Sequence, residues 1–153
     1  MQQNNTFHAL VFILSFLPYF LNFNSFAQVP IALDGQFDDW DNFQNTYNDT
    51  PNDGNDIDFL NLEITNDQNY LYLFITTNEI FNLTEYNDIS LYIDTDNNAS
   101  TGYYINNIGA ELEYHFGFRD GTFHAANNEY NIYWSDIEFR ALPTVTSNRF
   151  EIA

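Results

Sequence analysis

The segment Ala110–Phe118, AELEYHFGF, alternates apolar and polar side chains over its whole length. From position 112 onward its even-numbered residues are Leu, Tyr, Phe and Phe, whereas positions 111, 113 and 115 carry Glu, Glu and His. A period of two with one apolar face predicts a half-buried β-strand. Asp120-Gly121 follows as a two-residue turn signal, so we predict a hairpin with Thr122–Ala126 as the return strand.

The rest of the chain after residue 27 reads as short strands between turns rich in Asn, Asp and Gly. Tyr70–Thr77 is apolar on both faces, so we predict a central strand covered on both sides. Ile137–Leu142 and Arg149–Ala153 are predicted to form an antiparallel pair around a turn at Ser147-Asn148. The further predicted strands are Ile57–Thr65 and Ile89–Asp94.

Strands at this spacing, with no helical stripe between them, predict an all-β chain. The expected fold is an antiparallel, jelly-roll-like β-sandwich. The last segment, RFEIA at positions 149–153, ends in mid-strand. We therefore expect the sandwich to lack its last strands and the chain to be a fragment of a longer protein.

The N-terminus carries the pattern of a targeting segment. Ala9–Leu21 is apolar except for Ser15 and Pro18, and it is followed by Ser25-Phe26-Ala27. Small residues at positions 25 and 27 fit signal peptidase, so residues 1–27 are predicted to be a signal peptide and residues 28–153 the mature domain. The alternative is an uncleaved anchor, but the apolar run is shorter than the roughly 20 residues of a membrane span. A secreted or cell-surface protein without stable membrane insertion is expected.

The charge balance narrows the classes of partner. The chain has 22 acidic and 3 basic residues, all three of them Arg, and a formal net charge of −19. This balance argues against binding to nucleic acid or to anionic membranes. There is no Cys, which excludes disulfides and Cys-ligated zinc. We expect a monomer or one part of a multidomain chain.

Oxygen ligands are concentrated in LYIDTDNNASTGY, Leu91–Tyr103. Asp94, Asp96 and Asn98 occupy alternate positions after a predicted strand, and Glu111 opens the next one. Calcium takes six to eight oxygen ligands, so these four residues are predicted to bind it. The spacing does not fit an EF-hand. The alternative is an Asx-rich turn whose side chains cap backbone amides.

Two further acidic segments allow the same two interpretations, a metal site or a turn. Asp53–Asp58, DGNDID, offers Asp56 and Asp58 as metal ligands, although ordinary turn chemistry explains it equally well. Asp34 is better explained by a turn than by a metal, and Trp40 by burial as a core anchor.

Aromatic residues suggest a ligand surface. Sugars present apolar C–H faces that stack on flat exposed aromatic rings. Tyr103 and Tyr104 adjoin the calcium loop, and Trp134 lies in a segment rich in Asn and Tyr, so these three are the predicted ligand-binding residues. Tyr130 and Tyr133 belong to the same aromatic set. Packing in the core is the alternative for each of them.

The remaining polar cluster is Glu113, His115 and His124. If Asp120-Gly121 forms the hairpin loop, Phe118 pairs with Phe123, and these three side chains share the non-core face. Two His and one Glu can bind zinc, but a solvated polar face is the preferred interpretation. No catalytic motif occurs, so we expect no enzymatic activity of the domain itself; a glycosidase fragment using an acidic pair is the least favoured alternative.

Three segments in order resemble family 9 carbohydrate-binding modules and related sandwich domains. They are IALDGQFDDW at 31–40, DIDFLNLEITNDQNYLYLFI at 56–75 and LYIDTDNNASTGYYINNIGAELEYHF at 91–116. The resemblance implies a jelly-roll-like β-sandwich with structural calcium, with Glu111 at a position where the family carries Asp. It also implies a non-catalytic module of a secreted bacterial protein that binds a polysaccharide or oligosaccharide. The alternative is a structural or adhesion domain with calcium but no sugar site.

Overall fold

The computed structural model describes residues 31–41, 46–54 and 56–153. The predicted signal peptide lies outside the described residues. About half of the described chain, 49%, is β-strand, and its helical structure is one 3-10 turn at Trp134–Asp136. No helix in the described ranges is long and apolar enough to cross a membrane. The strands are β1 Thr46–Asn48, β2 Phe59–Asn66, β3 Leu71–Asn82, β4 Ser90–Ile93, β5 Tyr103–Ile105, β6 Ile108–Ala110, β7 Leu112–His115, β8 Asp120–Ala125, β9 Asn128–Tyr133, β10 Ala141–Leu142 and β11 Thr146–Ile152.

The chain divides into two compact units. The described part of the central unit is residues 84–137; it contains a four-stranded sheet in the order β4-β7-β8-β9 and the two-stranded sheet β5-β6. The flanking unit comprises residues 31–83 and 138–153 of the described chain, with a five-stranded sheet in the order β1-β2-β3-β11-β10. All strand pairs are antiparallel, which confirms the predicted all-β class and is consistent with a β-sandwich.

The flanking unit is organised around β3, which lies between β2 and β11. Four successive residues of this strand, Tyr72–Ile75, are buried, so both of its faces are covered as predicted. Trp40 is 2% exposed and stacks on Phe74 with ring centroids 5.5 Å apart. Its indole Nε1 donates a hydrogen bond to Glu151 Oε1 at 3.0 Å. The prediction that Trp40 anchors the core is therefore confirmed.

The predicted turn at Ser147-Asn148 is wrong. Both residues lie within β11, which has an irregular register between Ser147 and Arg149. The partner strand β10 is only two residues long, and Ala141 faces Ile152. Pro143 ends β10 because proline has no N–H to donate to a strand ladder, so the reversal falls at residues 143–145.

The predicted hairpin of the central unit exists, but its turn is displaced. Residues 116–119 make the reversal, and Arg119 N donates to His115 O at 2.9 Å. Gly121 lies inside β8, where a Cβ atom would come within 2.1 Å of Glu113 O. The glycine therefore permits close approach of two strands and does not form the turn.

The predicted pairing of Phe118 with Phe123 is consequently wrong, because Phe123 pairs with Leu112. The displacement is six residues along β7. Since side chains alternate with a period of two, an even displacement leaves the residues within the two strands on their predicted faces. The predicted polar and apolar faces of this hairpin thus survive the error in register. Phe118, predicted to face the core, instead lies in the reversal, is 65% exposed and contacts the His115 ring.

Candidate metal centre and adjoining cleft

The loop 94–102 leaves the end of β4 and returns as β5. Asp94, the first residue of this loop, is 3% exposed. Its Oδ1 accepts a hydrogen bond from Asn98 N and its Oδ2 accepts one from Gly109 N, both at 3.3 Å. Gly109 is required beneath the loop, because a Cβ atom there would lie 2.0 Å from Thr101 O. The loop is thus held against β6 by close backbone contact.

Three of the predicted metal ligands come together. Asp94, Asp96 and Glu111 each offer a carboxylate oxygen, and these atoms lie within 4.8 Å of one another. Glu111 Oε2 accepts hydrogen bonds from Thr95 N at 2.8 Å and Thr95 Oγ1 at 2.9 Å. Glu111 Oε1 is buried and has no hydrogen-bond partner. Clustered carboxylates with an unsatisfied buried oxygen fit a hard cation, which would neutralise the charge and complete the bonding.

Asn98 is used differently in the loop. Its Oδ1 accepts Ser100 N at 3.1 Å, and its backbone carbonyl accepts Thr101 Oγ1 at 2.8 Å. Thr101 Oγ1 also lies 3.0 Å from both carboxylate oxygens of Asp96. The Asn98 side chain therefore forms the Asx turn that was the alternative interpretation. Its role as a calcium ligand stays a prediction.

The second acidic segment also has a turn structure. Asp58 is 3% exposed, and it accepts Asn52 N at 2.6 Å on Oδ2 and Gly54 N at 2.7 Å on Oδ1. These two backbone hydrogen bonds hold the pKa of Asp58 below its usual value. Asp56 is exposed. The turn interpretation accounts for Asp58, and metal binding by Asp56 and Asp58 remains a prediction.

The predicted ligand-binding aromatics fall on two elements. Tyr103 and Tyr104 lie on β5 directly after the loop and are 43% and 62% exposed. The Tyr103 ring stacks on Tyr92 at 6.1 Å and on His124 at 5.7 Å. Trp134, by contrast, is half-buried in the 3-10 turn after β9. The stack of three rings orients Tyr103 more firmly than its exposure alone would suggest.

An open cleft of about 800 Å³ lies beside the Asp94, Asp96 and Glu111 group. It is lined by Asp96, Glu111 and residues 100–102, and by residues 123–129, which include the β8–β9 turn. Phe123 is 42% exposed. Sequence reasoning missed this cleft because it depends on the β8–β9 turn standing opposite the loop 94–102, which no local pattern indicates.

The hairpin has the predicted polar face, which is larger than expected, but it is not fully solvated, because the side chains of Glu113 and His124 are only 15% and 11% exposed. Glu113 lies between two imidazoles, with Oε1 3.0 Å from His115 Nε2 and Oε2 3.5 Å from His124 Nε2. The other imidazole nitrogens continue the chain, His115 Nδ1 to Asp120 Oδ1 and His124 Nδ1 to Glu129 Oε1, each at 3.3 Å. Each imidazole meets a different oxygen of Glu113, so the geometry favours a hydrogen-bonded polar face over the zinc alternative.

Tyr92 belongs to the same network. Its hydroxyl donates to Glu113 Oε1 at 3.1 Å. Burial and the nearby Glu113 carboxylate raise the pKa of Tyr92 to about 12. The hydroxyl therefore stays protonated and remains a donor throughout the physiological range.

No protein-family model, curated protein or solved structure matches this chain.

Proposed function

We propose that this chain is a non-catalytic, calcium-stabilised carbohydrate-binding module of a secreted protein, as the resemblance to family 9 modules implies. The observation that carries the proposal is the Asp94, Asp96 and Glu111 group, of which Asp96 and Glu111 line the cleft. A cation at this position would link the cleft wall to the end of β4. The module would thus bind its ligand on a surface that the ion keeps rigid.

Calcium is the cation that the ligand chemistry favours. Carboxylates and backbone carbonyls suit hard ions, and calcium accepts irregular sets of oxygens more readily than magnesium does. The chain has no Cys, and the ligands offered here are oxygens alone. Asp94 and Glu111 contribute from strand ends and Asp96 from the loop. Binding would therefore fasten the loop 94–102 to the sheet.

Glycan binding is supported by the surface next to the Asp94, Asp96 and Glu111 group. The cleft offers polar groups from Thr101, His124 and Glu129, whereas the Phe123 side chain lies on the opposite face of β8. The exposed ring of Tyr103 stacks on His124, which lines the cleft. Rings that contact C–H faces beside groups that bond hydroxyls are what sugar recognition requires.

A calcium-dependent structural or adhesion domain is the second candidate. Asp94 is almost completely buried, and its hydrogen bonds run to the loop and to Gly109, all within the central unit. An ion held there would stabilise the fold whether or not a sugar binds. The two candidates differ in whether the cleft responds to glycans.

Thermal unfolding in calcium and in EDTA tests the metal centre. A ligand that binds only the native state raises its stability by mass action, so calcium should raise the Tm by several degrees at a hundredfold excess over Kd. Asp96→Asn should lose most of this rise, whereas Asp88→Asn, an exposed acid in the same unit, should keep it. An equal response in both variants would place the ion elsewhere.

Glycan binding is tested separately, by calorimetry against a panel of neutral, amine-bearing and uronic-acid oligosaccharides. Binding that Tyr103→Ala weakens at least about tenfold would support the module, since one buried aromatic contact is worth this much. A calcium response without any glycan response would favour the structural domain.

A further inference from the structure

The polar face of the four-stranded sheet carries an excess of negative charge. Asp120, His115, Glu113, His124 and Glu129 form one continuous chain of contacts between 3.0 and 3.5 Å. Three carboxylates alternate with two imidazoles. These five side chains therefore keep a net negative charge even when both imidazoles are protonated.

No cationic side chain belongs to the strands that build this face. The four strands of this sheet contain no Lys or Arg, and the Arg residues of the protein lie at positions 119, 140 and 149. The protein as a whole has a formal net charge of −19. A ligand that bears carboxylate or sulfate groups would be repelled from this surface.

Aromatic rings lie beside these five carboxylate and imidazole side chains. Tyr103 stacks on His124, and Phe118 meets the ring of His115 edge-on at 6.4 Å. Tyr133 pairs with Asp120 across β8 and β9. Tyr103, Phe118 and Tyr133 are 43%, 65% and 55% exposed. Flat apolar surface is thus available on several sides of the carboxylates.

We propose that the glycan recognised on this face carries free amino groups, as a polymer of 2-amino-2-deoxy sugars does. This inference rests on the proposed glycan binding and specifies its ligand class. Protonated amines would donate charge-assisted hydrogen bonds to Asp120 and Glu129, whose side chains are 48% and 74% exposed. The sugar rings would pack on Tyr103 and Tyr133. Glu129 also lines the cleft, so the surface is continuous with the proposed site.

The test compares two oligosaccharides that differ only in N-acetylation. Calorimetry of the purified protein in calcium, at about pH 6 and low salt, would use the glucosamine hexamer and the N-acetylglucosamine hexamer. The free-amine hexamer should bind at least about tenfold more tightly, because each hydrogen bond to a charged group contributes about that factor. This advantage should shrink as salt is added.

An isosteric double variant and a control variant test whether Asp120 and Glu129 contact the amines. Asp120→Asn with Glu129→Gln should reduce the preference for the free-amine hexamer several-fold, since both carboxylates become neutral amides. Glu85→Gln, an exposed acid of the same unit outside this face, should leave the preference unchanged. The calcium response serves as the check on folding, because neither Asp120 nor Glu129 belongs to the metal group.

Each contrary outcome has a distinct meaning. Equal binding of the two hexamers, or binding only of neutral sugars, would overturn the amine specificity and leave the glycan-binding proposal standing. Hexalysine that binds as tightly as the free-amine hexamer would show that charge alone attracts a polycation, which would also overturn it. Failure of every glycan in the panel would overturn the proposed function itself.

Discussion

At the scale of single residues, burial and hydrogen bonding shift the pKa values of carboxyl groups in opposite directions. Glu151 is fully buried, and desolvation raises its pKa although Gly35 N and Trp40 Nε1 donate to it. Asp58 has a lowered pKa because backbone amides stabilise its charged form. By linkage, Asp58 contributes stability that is lost as pH falls through its folded pKa, and Glu151 contributes stability that is lost as pH rises through its own.

Glu151→Gln tests the second of these statements. The amide cannot ionise, so the free energy of unfolding of the wild type, relative to the variant, should fall as pH rises from about 4 to 7. Urea unfolding at four pH values measures the difference. Glu79→Gln, at an exposed position of β3, should show no such trend. A pH-independent difference between wild type and Glu151→Gln would contradict the raised pKa.

At the scale of the elements, the Asp-Gly dipeptide shows why turn signals mislead. Asp120-Gly121 has the composition of a hairpin loop, yet both residues lie in β8. The same lack of a side chain that permits a turn also permits two strands to approach closely, and local sequence does not separate these uses. Position 121 therefore has a definite steric requirement.

Gly121→Val should destabilise the protein by about 1–3 kcal/mol, because the added side chain would collide with the backbone of Glu113. Thr122→Val, on the neighbouring half-buried position, should change the free energy of unfolding by less than about 1 kcal/mol. Urea titration of both variants gives the comparison. If Gly121→Val does not destabilise the protein, the turn would lie at Asp120-Gly121, as the sequence predicts.

Other elements were predictable to different degrees. Alternation and apolar runs located β2, β3 and β4, because burial of a sheet face directly dictates the pattern. The Asp94, Asp96 and Glu111 group was also predictable, since Asp94 and Glu111 adjoin strand ends and Asp96 lies two residues beyond Asp94 in the loop. Asp120 and Glu129 were not recognised as parts of the polar face. Their contacts depend on strand register, which the displaced turn concealed.

At the scale of the whole molecule, the charge of −19 opposes folding through self-repulsion. Screening by salt should relieve it, so the Tm in EDTA should rise as NaCl increases from about 0.05 to 0.5 M. Replacing four exposed acids by their amides should flatten this dependence by lowering the charge that is screened. The chosen positions are Glu79, Glu85, Asp88 and Glu138.

The rise in Tm caused by screening must be distinguished from the rise caused by calcium binding. Calcium should raise the Tm further than NaCl at the same ionic strength, and the four-amide variant should keep that additional rise because its Asp94, Asp96 and Glu111 group is intact. Asp96→Asn should show the reverse, with a normal response to NaCl and a diminished one to calcium. If the two salts act identically at matched ionic strength, calcium acts only on the general charge of the surface, and the loop 94–102 is a turn without an ion.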